Sequence, residues 1–79
     1  MTLILHLFAA ARDLVGSPTV TVDPSSTVAD LRRQLIARYP TLAPLLPKCR
    51  IAVNHEFADE DALIPPGAEL AVIPPVSGG

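Results

Sequence analysis

The chain has 79 residues, 49% of them hydrophobic and only 4% aromatic, with a formal net charge of −2. That apolar share excludes a disordered chain, and the length allows one small domain burying about 60–65% of its unfolded surface. Weak acidity without a basic run argues against a nucleic-acid partner, and scarce aromatics remove the stacking platforms of single-strand binders.

The first predicted element covers residues 2–8, where Leu3, Leu5 and Leu7 alternate with Ile4, His6 and Phe8 in a strand pattern. No basic residue precedes this apolar run, so it reads as a first strand rather than a signal peptide. Gly16 and Pro18 then mark a turn over residues 13–18, and residues 19–23 alternate again with Val20 and Val22 on one face. Thr27 is placed to cap a helix, with Asp30 in its first turn. Val28, Leu31, Leu35 and Tyr39 form one apolar stripe, leaving Arg32, Arg33 and Arg38 off it. Pro40 ends the helix by disfavouring helical geometry at Tyr39.

Residues 42–48 form an irregular or 3₁₀ turn that covers the core with Leu42, Leu45 and Leu46. A strand over 50–54, a turn near Asn54–His55, a short return through Phe57 and a closing strand over 68–74 complete the order. A hairpin followed by a helix crossing to further strands is an α+β layout. The fold expected is a β-grasp, or ubiquitin-like, arrangement: a mixed four-to-five-stranded sheet packed on one main helix. Residues 1–74 make the domain and residues 75–79 an extended C-terminal diglycine tail.

Within that body the usual chemical constellations are missing. His6, His55 and Cys49 have no metal-ligand spacing, and each histidine reads as an exposed or partly exposed strand residue. Asp59, Glu60 and Asp61 read as a solvated acidic loop, and no glycine-rich phosphate loop or catalytic triad is present. Cys49 is the single cysteine and reads as a small core residue; with no internal disulfide possible, a reducing cytoplasmic setting is expected. No apolar run approaches the ~20 residues of a membrane span.

The tail carries the more specific pattern, "PPVSGG". Pro74 and Pro75 lack N–H donors, so the closing strand's ladder cannot continue through them. The chain is expected to leave as a semi-rigid arm reaching roughly 15–20 Å. Ser77 is small, and Gly78 and Gly79 have no Cβ, so the last atoms can thread a narrow channel. The terminal carboxylate is a poor electrophile. Conversion to an acyl-adenylate with ATP supplies a leaving group, and a sulfur nucleophile can then leave a thiocarboxylate.

Period two also predicts a docking face. If Leu3, Leu5 and Leu7 face the helix, Phe8 faces away, and Ile73 points to the same side because Leu70 and Val72 point inward. Phe57 is expected to join them in an apolar contact patch at the root of the tail. Arg12 at its rim is a candidate for an ion pair with a partner.

"FAAARDLVG", "STVADLRRQL", "AVN" and "PPVSGG" together resemble the small subunits of molybdopterin synthase, over nearly the whole chain. Ile73 departs from the aromatic often found at its position in that family. The resemblance implies a ubiquitin-like sulfur carrier that is not catalytic alone and binds no cofactor or metal stably. A ubiquitin-activating-like adenylyltransferase would adenylate Gly79, and a sulfurtransferase would supply sulfur for its thiocarboxylate. Gly78 would give access, and Pro74, Pro75 and Val76 would contact partners as the tail enters the synthase large subunit. There the sulfur would pass to cyclic pyranopterin monophosphate during molybdenum cofactor biosynthesis, in a heterotetramer. The alternatives are a carrier for thiamine or cysteine synthesis, or a ubiquitin-like protein modifier.

Overall fold

Alternating leucines build β1 (Leu3–Leu7) in a computed structural model that describes residues 2–75. Leu3, Leu5 and Leu7 are buried while Ile4 is exposed, so the strand has one core face and one outer face. The sequence reading then expects only a turn before the second strand. The structure instead contains a helix, α1 (Ala9–Val15), between β1 and β2 (Thr19–Val22). Its residues are good helix formers, but seven of them nucleate poorly alone. Burial of Ala11 against the core supplies the missing stabilisation, and Gly16 closes the helix in the left-handed region at φ 85°. The predicted turn therefore begins at Gly16.

The main helix follows the predicted pattern. In α2 (Val28–Arg38), Val28, Leu31 and Leu35 are fully buried and Tyr39 packs at the core's edge. Thr27 Oγ1 accepts from the Asp30 N–H at 3.3 Å. The first N–H groups of the helix find partners too: Val28 donates to the Ala62 carbonyl and Ala29 to that of Glu60. Arg32 lies off the apolar stripe as expected, yet its side chain is only 17% exposed. It donates to the carbonyls of Leu46 and Cys49 at 2.6 and 2.9 Å and to Glu60 at 2.7 Å, tying α2 to two loops.

Two 3₁₀ turns, Pro40–Leu42 and Leu46–Lys48, place Leu42 and Leu46 over the core. β3 (Arg50–Val53) and β4 (Glu56–Ala58) pair antiparallel, and β5 (Leu70–Ile73) enters between β3 and β1. The five-stranded order is β2-β1-β5-β3-β4, with β1 and β5 parallel and the other pairs antiparallel. β5 is shorter than expected at both ends. The Glu69 N–H is taken by the Asn54 side chain, and Pro74 has no N–H to offer. The core lies between α2 and one sheet face, and among the described residues no helix covers the other face. The predicted tail residues Val76, Gly78 and Gly79 lie outside the described residues.

Candidate functional site: the outer sheet face

Register makes the outer face a trough. His6 pairs with Ala71, Ala71 with Ala52, and Ala52 with Phe57, so one row crosses four strands with alanines in its middle. The small floor between larger neighbours leaves an open groove of about 460 Å³. Phe8 and Ile73 line it near the end of β5, and Phe57 lines it from β4. Phe8 is 48% and Phe57 53% exposed, whereas Ile73 is half-buried. The structure thus brings together the three apolar residues expected to form the patch. Pro74 and Pro75 follow directly, half-buried and exposed. Arg12 is exposed on α1, one helical turn beyond Phe8, and does not line the groove.

Arg50 and Glu69, which the sequence reading did not single out, stand at opposite ends. Arg50, register partner of Ile73, stacks over the Phe57 ring with its guanidinium carbon 4.1 Å from the centroid. At the other end His6 Nε2 lies 3.2 Å from Glu69 Oε2, and His55 Nε2 lies 2.8 Å from Glu69 Oε1. Period two already placed His6 on the face of Phe8. The pairing with Glu69 had no sequence signal, since 63 residues separate the two.

Backbone strain clusters beside the same groove. The non-glycine residues with positive φ among the described residues are Ala9 at 50°, Asn54 at 51° and His55 at 70°. Ala9 follows Phe8, and the other two form the β3–β4 turn at the opposite end. Residues held in such conformations are enriched at functional sites, where surrounding structure sustains the cost.

The single thiol lies in the core and not on this face. Cys49 is 3% exposed and donates to the Leu45 carbonyl, and burial pushes its thiol pKa up, with Arg32 pulling weakly the other way. A thiol so placed is a poor nucleophile. Among the described residues no group of three or more His, Cys, Asp or Glu side chains converges as metal ligands do, and no helix is long and apolar enough to cross a membrane.

Comparison with known proteins agrees in both sequence and shape. The chain is 39% identical to the molybdopterin synthase sulfur carrier subunit of Arabidopsis thaliana over 75 residues, covering 92% of this chain and 78% of the relative. SAMP1 from Haloferax volcanii is 31% identical, superposes with a TM-score of 0.85, and is covered completely in both chains. A chain in the protein–protein complex of subunits 1 and 2 of molybdopterin-converting factor from Helicobacter pylori shares the fold, with a TM-score of 0.71, 21% identity and full coverage of both chains. Residues 5–79, including the diglycine, match the ThiS family. A mixed sheet over one main helix, a bare outer face and a proline-led diglycine segment come together in this chain, which belongs to the ThiS family of ubiquitin-like sulfur carriers.

Proposed function

We propose that this chain is the sulfur-carrying subunit of a molybdopterin synthase, with residues 75–79 as its working arm. The observation that carries the reading is the sequence Pro74-Pro75-Val76-Ser77-Gly78-Gly79 following β5. The prolines release the chain from the sheet, and the glycines remove the bulk that would bar a narrow channel. In the proposed sequence the Gly79 carboxylate attacks the α-phosphorus of ATP on an adenylyltransferase, releasing pyrophosphate. Hydrosulfide, delivered by a sulfurtransferase, attacks the acyl carbon; the C–S bond forms as the C–O bond to AMP breaks, and loss of the S–H proton leaves –COS⁻. The arm then delivers this sulfur to cyclic pyranopterin monophosphate in the synthase large subunit. Phe8, Phe57 and Ile73 seat the body on its partners, with Pro74, Pro75 and Val76 along the path of the arm and Arg12 at the rim.

The test is transfer by variants with the purified large subunit. Removing Gly79, or appending one residue after it, abolishes molybdopterin formation while circular dichroism and Tm stay those of the parent. Full activity of the shortened chain overturns the reading. Gly78→Val is expected to slow transfer by crowding and stiffening the arm.

A second reading, a protein modifier, is favoured by the similarity to SAMP1, a small archaeal modifier protein. The two readings part at the product formed with the activating enzyme, ATP and sulfide. A carrier gains sulfur at Gly79, localised to the C-terminal fragment; a modifier appears in amide linkage to lysines of other proteins.

A further inference from the structure

Glu69 is held more firmly than an exposed surface carboxylate requires. Its carboxylate oxygens are engaged separately, by His6 Nε2 at 3.2 Å and by His55 Nε2 at 2.8 Å. Its backbone is fixed from both sides: the Glu69 N–H donates to Asn54 Oδ1 at 2.9 Å, and the Asn54 N–H donates to the Glu69 carbonyl at 2.8 Å. The side chain nevertheless remains 48% exposed. Exposed pairs of this sort contribute little to folding, so stability alone gives slight reason to build one.

The turn that delivers His55 points the same way. Asn54 and His55 both have positive φ, as in the two-residue hairpin turns that favour Asn-Gly. Histidine in the second place puts a Cβ where glycine would sit without strain. What the chain gains from the histidine is an imidazole against the Glu69 carboxylate.

Charge gives the groove a direction. Arg50 stands at the end where β5 leaves the sheet, and Glu69 stands at the opposite end of β5, with Ala52 and Ala71 on the floor between them. The Glu69 carboxylate is 48% exposed, and two oxygens with about four lone-pair sites can accept more than the two imidazole contacts occupy.

We propose that Glu69, preset by His6 and His55, anchors a cationic side chain of the protein that docks on this face. The aliphatic stem of that side chain lies along the alanine floor, as arginine and lysine stems do on apolar surface, and its head meets the carboxylate. A guanidinium suits the site, because it stays charged at any working pH and can donate to a carboxylate whose oxygens each already meet one imidazole. This rests on the docking face described above and adds the chemistry of its occupant.

The experiment measures Kd for the full-length chain with the synthase large subunit from the same organism, at 50 and 500 mM salt as working concentrations. Glu69→Lys is expected to raise Kd about 100-fold or more, and Glu69→Gln about 10-fold, with the glutamine effect shrinking at high salt. His55→Gly relieves the turn, so its Tm equals or exceeds the parent's while binding weakens about 3-fold, a separation that a merely structural role would not produce. Phe8→Asp serves as the control for docking itself. If it abolishes binding while Glu69→Lys and Glu69→Gln bind like the parent, the anchor is refuted and the docking face stands. If none of the three affects binding, the docking face is refuted as well. Light scattering of the chain alone covers a third occupant: a dimer that Glu69→Lys dissociates places a second copy in the groove and overturns the partner assignment.

Discussion

Arg50 and Phe57 are joined face-on, the guanidinium carbon 4.1 Å from the ring centroid, across the β3–β4 pair. Such a contact at an exposed site contributes about 0.5–1 kcal/mol. It also holds a 53%-exposed aromatic ring as a wall of the groove instead of letting it fold down onto the alanine floor. Phe57→Leu should keep the fold and lose this stacking, lowering stability by up to about 1 kcal/mol in urea titration. A larger loss would mean that the ring supports the core.

Docking should depend on the exposed apolar residues far more than folding does. Phe8→Asp puts an unpaired charge where water is excluded on association, a cost of several kcal/mol. Binding to the large subunit or the adenylyltransferase should weaken by at least about 100-fold, with Tm shifted only slightly because Phe8 is half exposed in the free chain. Ile73→Asp should weaken binding similarly and also lower Tm, since Ile73 is already partly covered. Titration calorimetry beside thermal melts separates the two effects.

Thiol chemistry offers a clean readout of the proposed thiocarboxylate. Burial raises the Cys49 thiol pKa above its ordinary 9.0, and the side chain is 3% exposed. Iodoacetamide at pH 7.5, a working choice, should leave native protein unlabelled and label it readily in denaturant. After treatment with activating enzyme, ATP and a sulfur source, the native label should appear on the C-terminal fragment and persist in Cys49→Ser. Rapid native labelling of Cys49 would contradict the burial.

Asp30 predicts an acid-side loss of stability. A hydrogen bond from Arg33, then one involving Thr27, hold its carboxyl below the ordinary 3.8. A depressed folded pKa contributes stability that is present above the unfolded value and lost as pH falls through the folded one. Asp30→Asn should therefore lower Tm at pH 7, and its curve should converge with the parent's below the ordinary carboxylate range. Thr27→Ala should cost about 1 kcal/mol, because it removes the side-chain acceptor at the helix start.

Arg32 is the polar residue whose loss should hurt folding most. Arg32→Ala leaves two loop carbonyls without their charged donor, and at about 1.5–3 kcal/mol for such bonds a loss of about 2 kcal/mol is expected. Sulfur transfer by the folded fraction should be unchanged, since these contacts lie away from the groove.

Local rules made most of the architecture legible. Leucine alternation located β1, the Val28–Leu31–Leu35 stripe located α2, and Thr27 and Pro40 marked where that helix starts and where it must stop. The same period-two argument turned Phe8 and Ile73 to one face, as the structure has them. Helix α1 escaped that logic. Its seven residues have helical propensity but too few turns to announce themselves, and the burial of Ala11 that stabilises it is a long-range event.

The amino-acid order alone therefore determined the elements that repeat with a period, the face each strand turns inward, and the proline-led diglycine pattern, because each depends on neighbours within a few residues. Only the tertiary structure decided that His6, Glu69 and His55 meet, that Arg50 stands at the tail end of the groove, and that two alanines form its floor. Those meetings arise from strand order and register. β5 slots between β1 and β3, bringing residues 63 positions apart into contact, and no local propensity encodes which strands become neighbours.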